Sequence, residues 1–184
     1  HLCDLLAVAA VILALQAANS LSGGHFAQAL GLDPGLIAAE PWRLITWPLG
    51  QPGWLAAIGN AVGLTVGLTM ASRCSGRLVA WGGLLGATLL AGLWSWYDLE
   101  AGELLSGASA AMYAALGMGL VAWLRVRHEL TYAKRSDWLA GFGTIGVVLL
   151  ALAVPRLMEA PAQWIHAIGF TWGAALVALT PRSW

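Results

Sequence analysis

Three polar side chains interrupt stretches that are otherwise apolar: Asn60, Ser109 and His166. Their types are those of an acyl-transfer site. A serine hydroxyl alone is a poor nucleophile and needs a base within hydrogen-bond reach. An oxyanion forming beside it needs donors already aimed at it. Ser109 follows Gly107 and Ala108 at the point where a loop turns into an apolar helix. A helix start leaves backbone N–H groups unspent and carries the positive end of the dipole, so it suits a developing anion. Of the four histidines, His1 is terminal, His25 falls in the first loop and His128 in a basic loop. Of these, His166 alone can serve as the base.

Each residue also has a plainer reading. A serine among Gly and Ala at a helix start ordinarily packs or caps, and an intramembrane asparagine can join helices by a hydrogen bond. The surrounding elements decide between the two. Of 184 residues, 59% are apolar and only 10% charged, with a mean hydropathy of +0.74. A soluble domain carries about 25% charge, so this chain lacks the polar surface to cover a water-soluble globule. It reads as one all-α, polytopic membrane domain. With a net charge of zero and no long basic run, nucleic acid is not an expected partner. Cys3 and Cys74 show no metal-ligand spacing and no disulfide framework, and no metal or cofactor is implied. The chain begins at His1 without a methionine, and a trimmed N-terminus with a cytosolic extension ahead of it is expected.

A bilayer core needs about 20 apolar residues per helix. Six spans are expected, at 2–18, 54–71, 78–96, 109–124, 138–154 and 162–179. The stretch 19–53 is too polar and too rich in Gly and Pro to cross, and reads as a structured loop lying partly in the interface. Arg73 and Arg77 follow span 2, Arg125, Arg127, Lys134 and Arg135 follow span 4, and Arg182 follows span 6. Arg43 and Arg156 lie on the other side. This bias places both termini in the cytoplasm, and a bacterial inner membrane is the expected location. Spans 2, 4 and 6 then enter from the outer side, which puts Asn60, Ser109 and His166 at one depth. Gly169 and Gly173 form a small-xxx-small ridge after His166, and Ala110, Ala114 and Gly117 offer a matching face on span 4. Tyr113, one turn past Ser109, is placed to stack under the imidazole.

These residues resemble the rhomboid family of intramembrane serine proteases. The nucleophile motif Gly-x-Ser-Gly is matched at Gly107, Ala108, Ser109 and Ala110, the stacking tyrosine at Tyr113, and the sixth-helix His-x-x-Gly-x-x-x-Gly at His166, Gly169 and Gly173. The first-loop Glu-x-Trp-Arg is present as Glu40, Trp42 and Arg43, which read as a brace rather than as catalytic groups. Asn60 matches the second-helix oxyanion asparagine. The resemblance covers the chain as a six-helix core. It implies a Ser109–His166 dyad, an oxyanion hole of Asn60 and the Ser109 N–H, and a transmembrane protein segment as substrate. That segment would enter beside span 5, which is uncharged and rich in Gly and β-branched residues.

Three positions depart from the pattern. The histidine expected four residues before the asparagine is Ala56, and the outward histidine nine before it is Gln51. The glycine after the nucleophile is Ala110. The departures fit a slowed enzyme, a specialised branch such as the rhombosortases, or a non-catalytic relative that binds transmembrane segments. A small transporter subunit is the remaining alternative, but it needs an ionisable path across the membrane and no span carries one.

Overall fold

In the computed structural model of the chain, the described residues are 2–126 and 163–180, with Gly143 and Gly146. The expected fifth span, 138–154, lies outside them apart from those two glycines. Long helices form over the apolar runs of the sequence: α1 (Leu2–Leu21), α4 (Trp54–Ser75), α5 (Arg77–Asp98), α6 (Ser109–Val126) and α7 (Gln163–Leu179). Two short helices, α2 (His25–Leu30) and α3 (Arg43–Thr46), and a 3₁₀ turn at Trp47–Leu49 shape the first loop. Among the described residues there is no strand, only an isolated bridge between Leu32 and Leu105. The helices α4, α5 and α6 are long and apolar enough to cross a membrane, and apolar helices at Leu6–Leu21 and Trp164–Leu179 are shorter. The chain is a polytopic, all-helical membrane bundle.

Side-chain size sets the packing. Lipid is as apolar as leucine, so membrane helices associate through close backbone approach at small residues. On α4 the buried face is Ala57, Asn60, Ala61, Gly63, Leu64, Gly67 and Leu68, while Leu55, Ile58 and Val62 point outward. On α5, Leu78, Trp81, Leu85 and Leu93 face out in the same way, Leu78 at 90% exposure. A water-soluble bundle would invert that arrangement. α6 is almost wholly buried and packs chiefly against α7 and α4.

Three helices run parallel. A Cβ on Gly63 would strike Met112, and one on Gly67 would strike the Ala115 backbone, so α4 and α6 advance together. Gly169 faces Ala110, Gly117 faces Phe170 and Gly173 faces Ala114, which aligns α6 with α7. The far end of this pair is tied by the Arg125 guanidinium, which donates to the carbonyls of Val177 and Thr180. α5 runs the opposite way, with Gly83 against Met118 and the Trp172 indole donating to Gly83 O at 3.1 Å.

α1 extends to Leu21, beyond the expected end near Ala18, because the fold supplies partners for Asn19 in its last turn. Gln16 Nε2 donates to Ser20 Oγ, and Asn19, 8% exposed, donates to Gln51 O and accepts from the Ala27 N–H. Within the loop, Arg43 is buried at 6% exposure. It pairs with Glu40 at 2.5 Å and donates to the carbonyls of Gln28 and Gly31. Glu40 and Arg43 are thus the brace that the sequence suggests. Arg43 is spent inside the protein and carries no weight as a charge that marks a membrane side. Arg156, the other cation expected on that side, lies outside the described residues.

Candidate active site

The segment before Ser109 is pinned by the first loop. Leu32 and Leu105 exchange both backbone bonds at 2.9 Å, and the Gly107 N–H donates to Trp47 O at 3.2 Å. Gly107 adopts φ +114°, a backbone that side-chain-bearing residues rarely take, with Pro52 packed 3.2 Å from where a Cβ would stand. The chain therefore turns sharply at Gly107 and enters α6 at Ser109. The Met112 N–H closes the first turn onto Ala108 O. The amides of Ser109 and the next two residues are first-turn donors of the kind an α-helix leaves unspent. Ser109 itself is half-buried.

His166 stands in the first turn of α7 and is half-buried. Its ring stacks on Tyr113, with centroids 4.3 Å apart and planes 19° from parallel. Tyr113 is 3% exposed and lies one turn after Ser109 on α6. The two helices meet so closely here that a Cβ on Gly169 would run into the Ala110 carbonyl, and one on Gly173 into that of Ala114. The ridge and the face expected from the sequence meet as anticipated. Ala110 fits without opening this contact: its methyl joins the buried cluster of Leu32, Trp47, Ala91 and Ile165, while its carbonyl faces Gly169.

Asn60 lies within the first two turns of α4, at 4% exposure. Its neighbours Ala57 and Ala61 pack in one cluster with Ala108, Ala111, Met112 and Tyr113. The structure therefore brings the starts of α4, α6 and α7 to one end of the bundle, with Asn60, Ser109 and His166 on them. No hydrogen bond joins Ser109 to His166 among the described residues, and His166 Nδ1 is buried there without a partner. Among the described residues the ring stack, not a carboxylate, holds the imidazole. Catalytic hydrogen bonds are commonly loose in a resting enzyme and tighten around substrate.

One contact escaped the sequence reading. Asn60 Nδ2 donates to Gln51 Oε1 at 2.9 Å, and Gln51 is fully buried. The two are nine residues apart across the loop–helix boundary at Gly53, so no helical period links them. The only signal was that Gln51 occupies a position noted as a departure.

A family model described as Rhomboid domain matches residues 38–183, which includes Asn60, Ser109 and His166. Comparison with curated proteins and with solved structures gave no significant match. The match covers most of the chain and agrees with an all-helical membrane bundle whose polar residues gather at one end: the chain belongs to the rhomboid family.

Proposed function

We propose that this protein is an intramembrane serine endopeptidase that cleaves transmembrane segments of other proteins near the outer leaflet. The observation that carries the reading is the Tyr113–His166 stack, one helical turn from Ser109 and locked by the Gly169–Ala110 contact. In this reading His166 takes the proton from Ser109 Oγ as that oxygen attacks a peptide carbonyl, then returns it to the leaving amine. The Ser109 N–H and Asn60 hold the oxyanion. Water then attacks the acyl-enzyme, His166 again acting as base, and frees Ser109. The site is a dyad in which the aromatic stack does the orienting that a third, acidic residue does elsewhere. The whole chain is one rhomboid-like membrane unit of six spans in this reading, with both termini cytoplasmic in a bacterial inner membrane and the lipid bilayer as its solvent.

A reporter carrying a cleavable transmembrane segment, co-reconstituted in liposomes, tests this. Ser109→Ala and His166→Ala should each abolish cleavage. The double variant should be no worse than either single one, because the pair acts as a unit. Substantial cleavage by Ser109→Ala ends the proposal.

A second reading, a weak or inactive relative that binds transmembrane segments, is favoured by Ala56 and by the missing Ser109–His166 hydrogen bond. It predicts that the reporter associates with the wild type and stays intact.

A further inference from the structure

Asn60 sits in apolar surroundings, where a lone carboxamide can rotate about its side chain and bond back onto its own helix. It is not left to do so. One Nδ2 hydrogen is committed to Gln51 Oε1 at 2.9 Å. Gln51 is itself held at both polar atoms of its side-chain amide and at its backbone carbonyl. Its Nε2 donates to Pro48 O at 2.8 Å, and its carbonyl accepts from Asn19 Nδ2 at 2.9 Å. Asn19 in turn accepts from the Ala27 N–H at 2.9 Å. A fully buried polar side chain is costly unless it is bonded, and this one is bonded in a chain that runs from α1 through the loop to α4.

Gln51 also lies against the nucleophile loop. A Cβ on Gly107 would stand 4.0 Å from Gln51 Oε1 and 3.2 Å from Pro52 Cδ. The same short stretch, residues 51–52, thus touches the turn that delivers Ser109 and the amide on α4. Ala56, one turn before Asn60, offers no donor. With one hydrogen of Asn60 fixed by Gln51, the second hydrogen has a defined direction, which is what a preorganised oxyanion donor requires.

The geometry points to Gln51 as a positioning residue of the oxyanion site: it fixes the Asn60 carboxamide relative to the Ser109 turn and acts on the reaction only through Asn60. The assignment rests on the serine-protease reading of the site. It requires that the loss from removing Gln51 appear in kcat, depend on the acceptor oxygen, and vanish when Asn60 is already gone.

The test uses the full chain in liposomes. Labelling of wild-type Ser109 by a fluorophosphonate is the first arm; its absence overturns the protease reading and this inference with it. With labelling present, Gln51→Met, which keeps length and removes both bonds, should lower kcat about tenfold. KM should stay within about twofold, the signature of an interaction that matters in the transition state. Gln51→Glu, which keeps an oxygen toward Asn60, should recover most of the rate. Added to Asn60→Ala, Gln51→Met should cause no further loss. Wild-type kcat in folded Gln51→Met, or a full additional loss on top of Asn60→Ala, overturns the assignment while leaving the protease reading intact. If Gln51→Met does not fold, Gln51→Glu decides: a drop as large as that of Asn60→Ala overturns it, and a kcat within about threefold of wild type supports it.

Discussion

The rings of Tyr113 and His166 lie 4.3 Å apart and 19° from parallel, which fixes the imidazole on α7 by a side chain of α6. An imidazole whose Nδ1 has no polar partner among the described residues is free to turn about its side-chain bonds unless something flat covers one face. Removing the stack should therefore cost alignment more than binding. Tyr113→Ala should lower kcat at least about tenfold with little effect on KM, since a small misplacement of a catalytic group can cost about 10² in rate. Tyr113→Phe, which keeps the ring, should retain most activity. Equal kinetics for Tyr113→Ala and wild type would show that the stack orients nothing.

The contact between α6 and α7 should be intolerant of side chains at its glycines, whereas a helix glycine that faces open space should accept one. Gly169→Val places its branch against the Ala110 carbonyl and should lower both activity and the thermal midpoint in detergent. Gly59, on α4, has open space around its Cβ direction. Gly59→Ala should match or slightly raise the wild-type midpoint, because glycine inside a helix costs roughly 0.5–1 kcal/mol relative to alanine. A stable, active Gly169→Val would mean that the two backbones do not meet there.

Much of this arrangement was legible in the sequence, for identifiable reasons. Helices α4, α5, α6 and α7 announce themselves as apolar runs stopped by Gly53, Gly76 and polar loops, so their expected bounds fall within a few residues of the observed ones. The Gly169 and Gly173 ridge follows from a spacing of four, which puts both on one helix face. The end of α1 was not legible, since Asn19 and Ser20 look like loop residues until the fold supplies Gln51 and Ala27 as partners for Asn19. Gln51 itself was hidden for the same reason. Its bond to Asn60 depends on the path of an irregular loop, and no periodicity encodes that path.

The proposed oxyanion site should respond strongly to its amide. One such donor is worth about 10²–10³ in kcat, roughly 2.7–4 kcal/mol, and Ala56 supplies none. Asn60→Ala should lower kcat at least about tenfold with KM nearly unchanged. Ala56→His should raise kcat if the half-buried site at 56 accepts the ring. A folded Asn60→Ala that cleaves at the wild-type rate would reduce Asn60 to a bond between loop and helix.

Orientation can be read from the two ends of α5, whose 22 residues span about 33 Å, enough to cross the hydrocarbon core. In a background with Cys3 and Cys74 replaced by alanine, Glu100→Cys should react with an impermeant thiol reagent added outside, and Arg77→Cys only from inside. Reaction of both from one side would refute the proposed topology and with it the proposed outer-leaflet site.

The central claim is that Ser109 is an activated nucleophile, and the most direct measurement is the mass of the intact protein after exposure to a fluorophosphonate. The wild type should gain a single adduct that maps to Ser109. His166→Ala should react far more slowly, and Ser109→Ala should gain none. An unmodified wild type, or an adduct that persists undiminished in Ser109→Ala, would contradict the account.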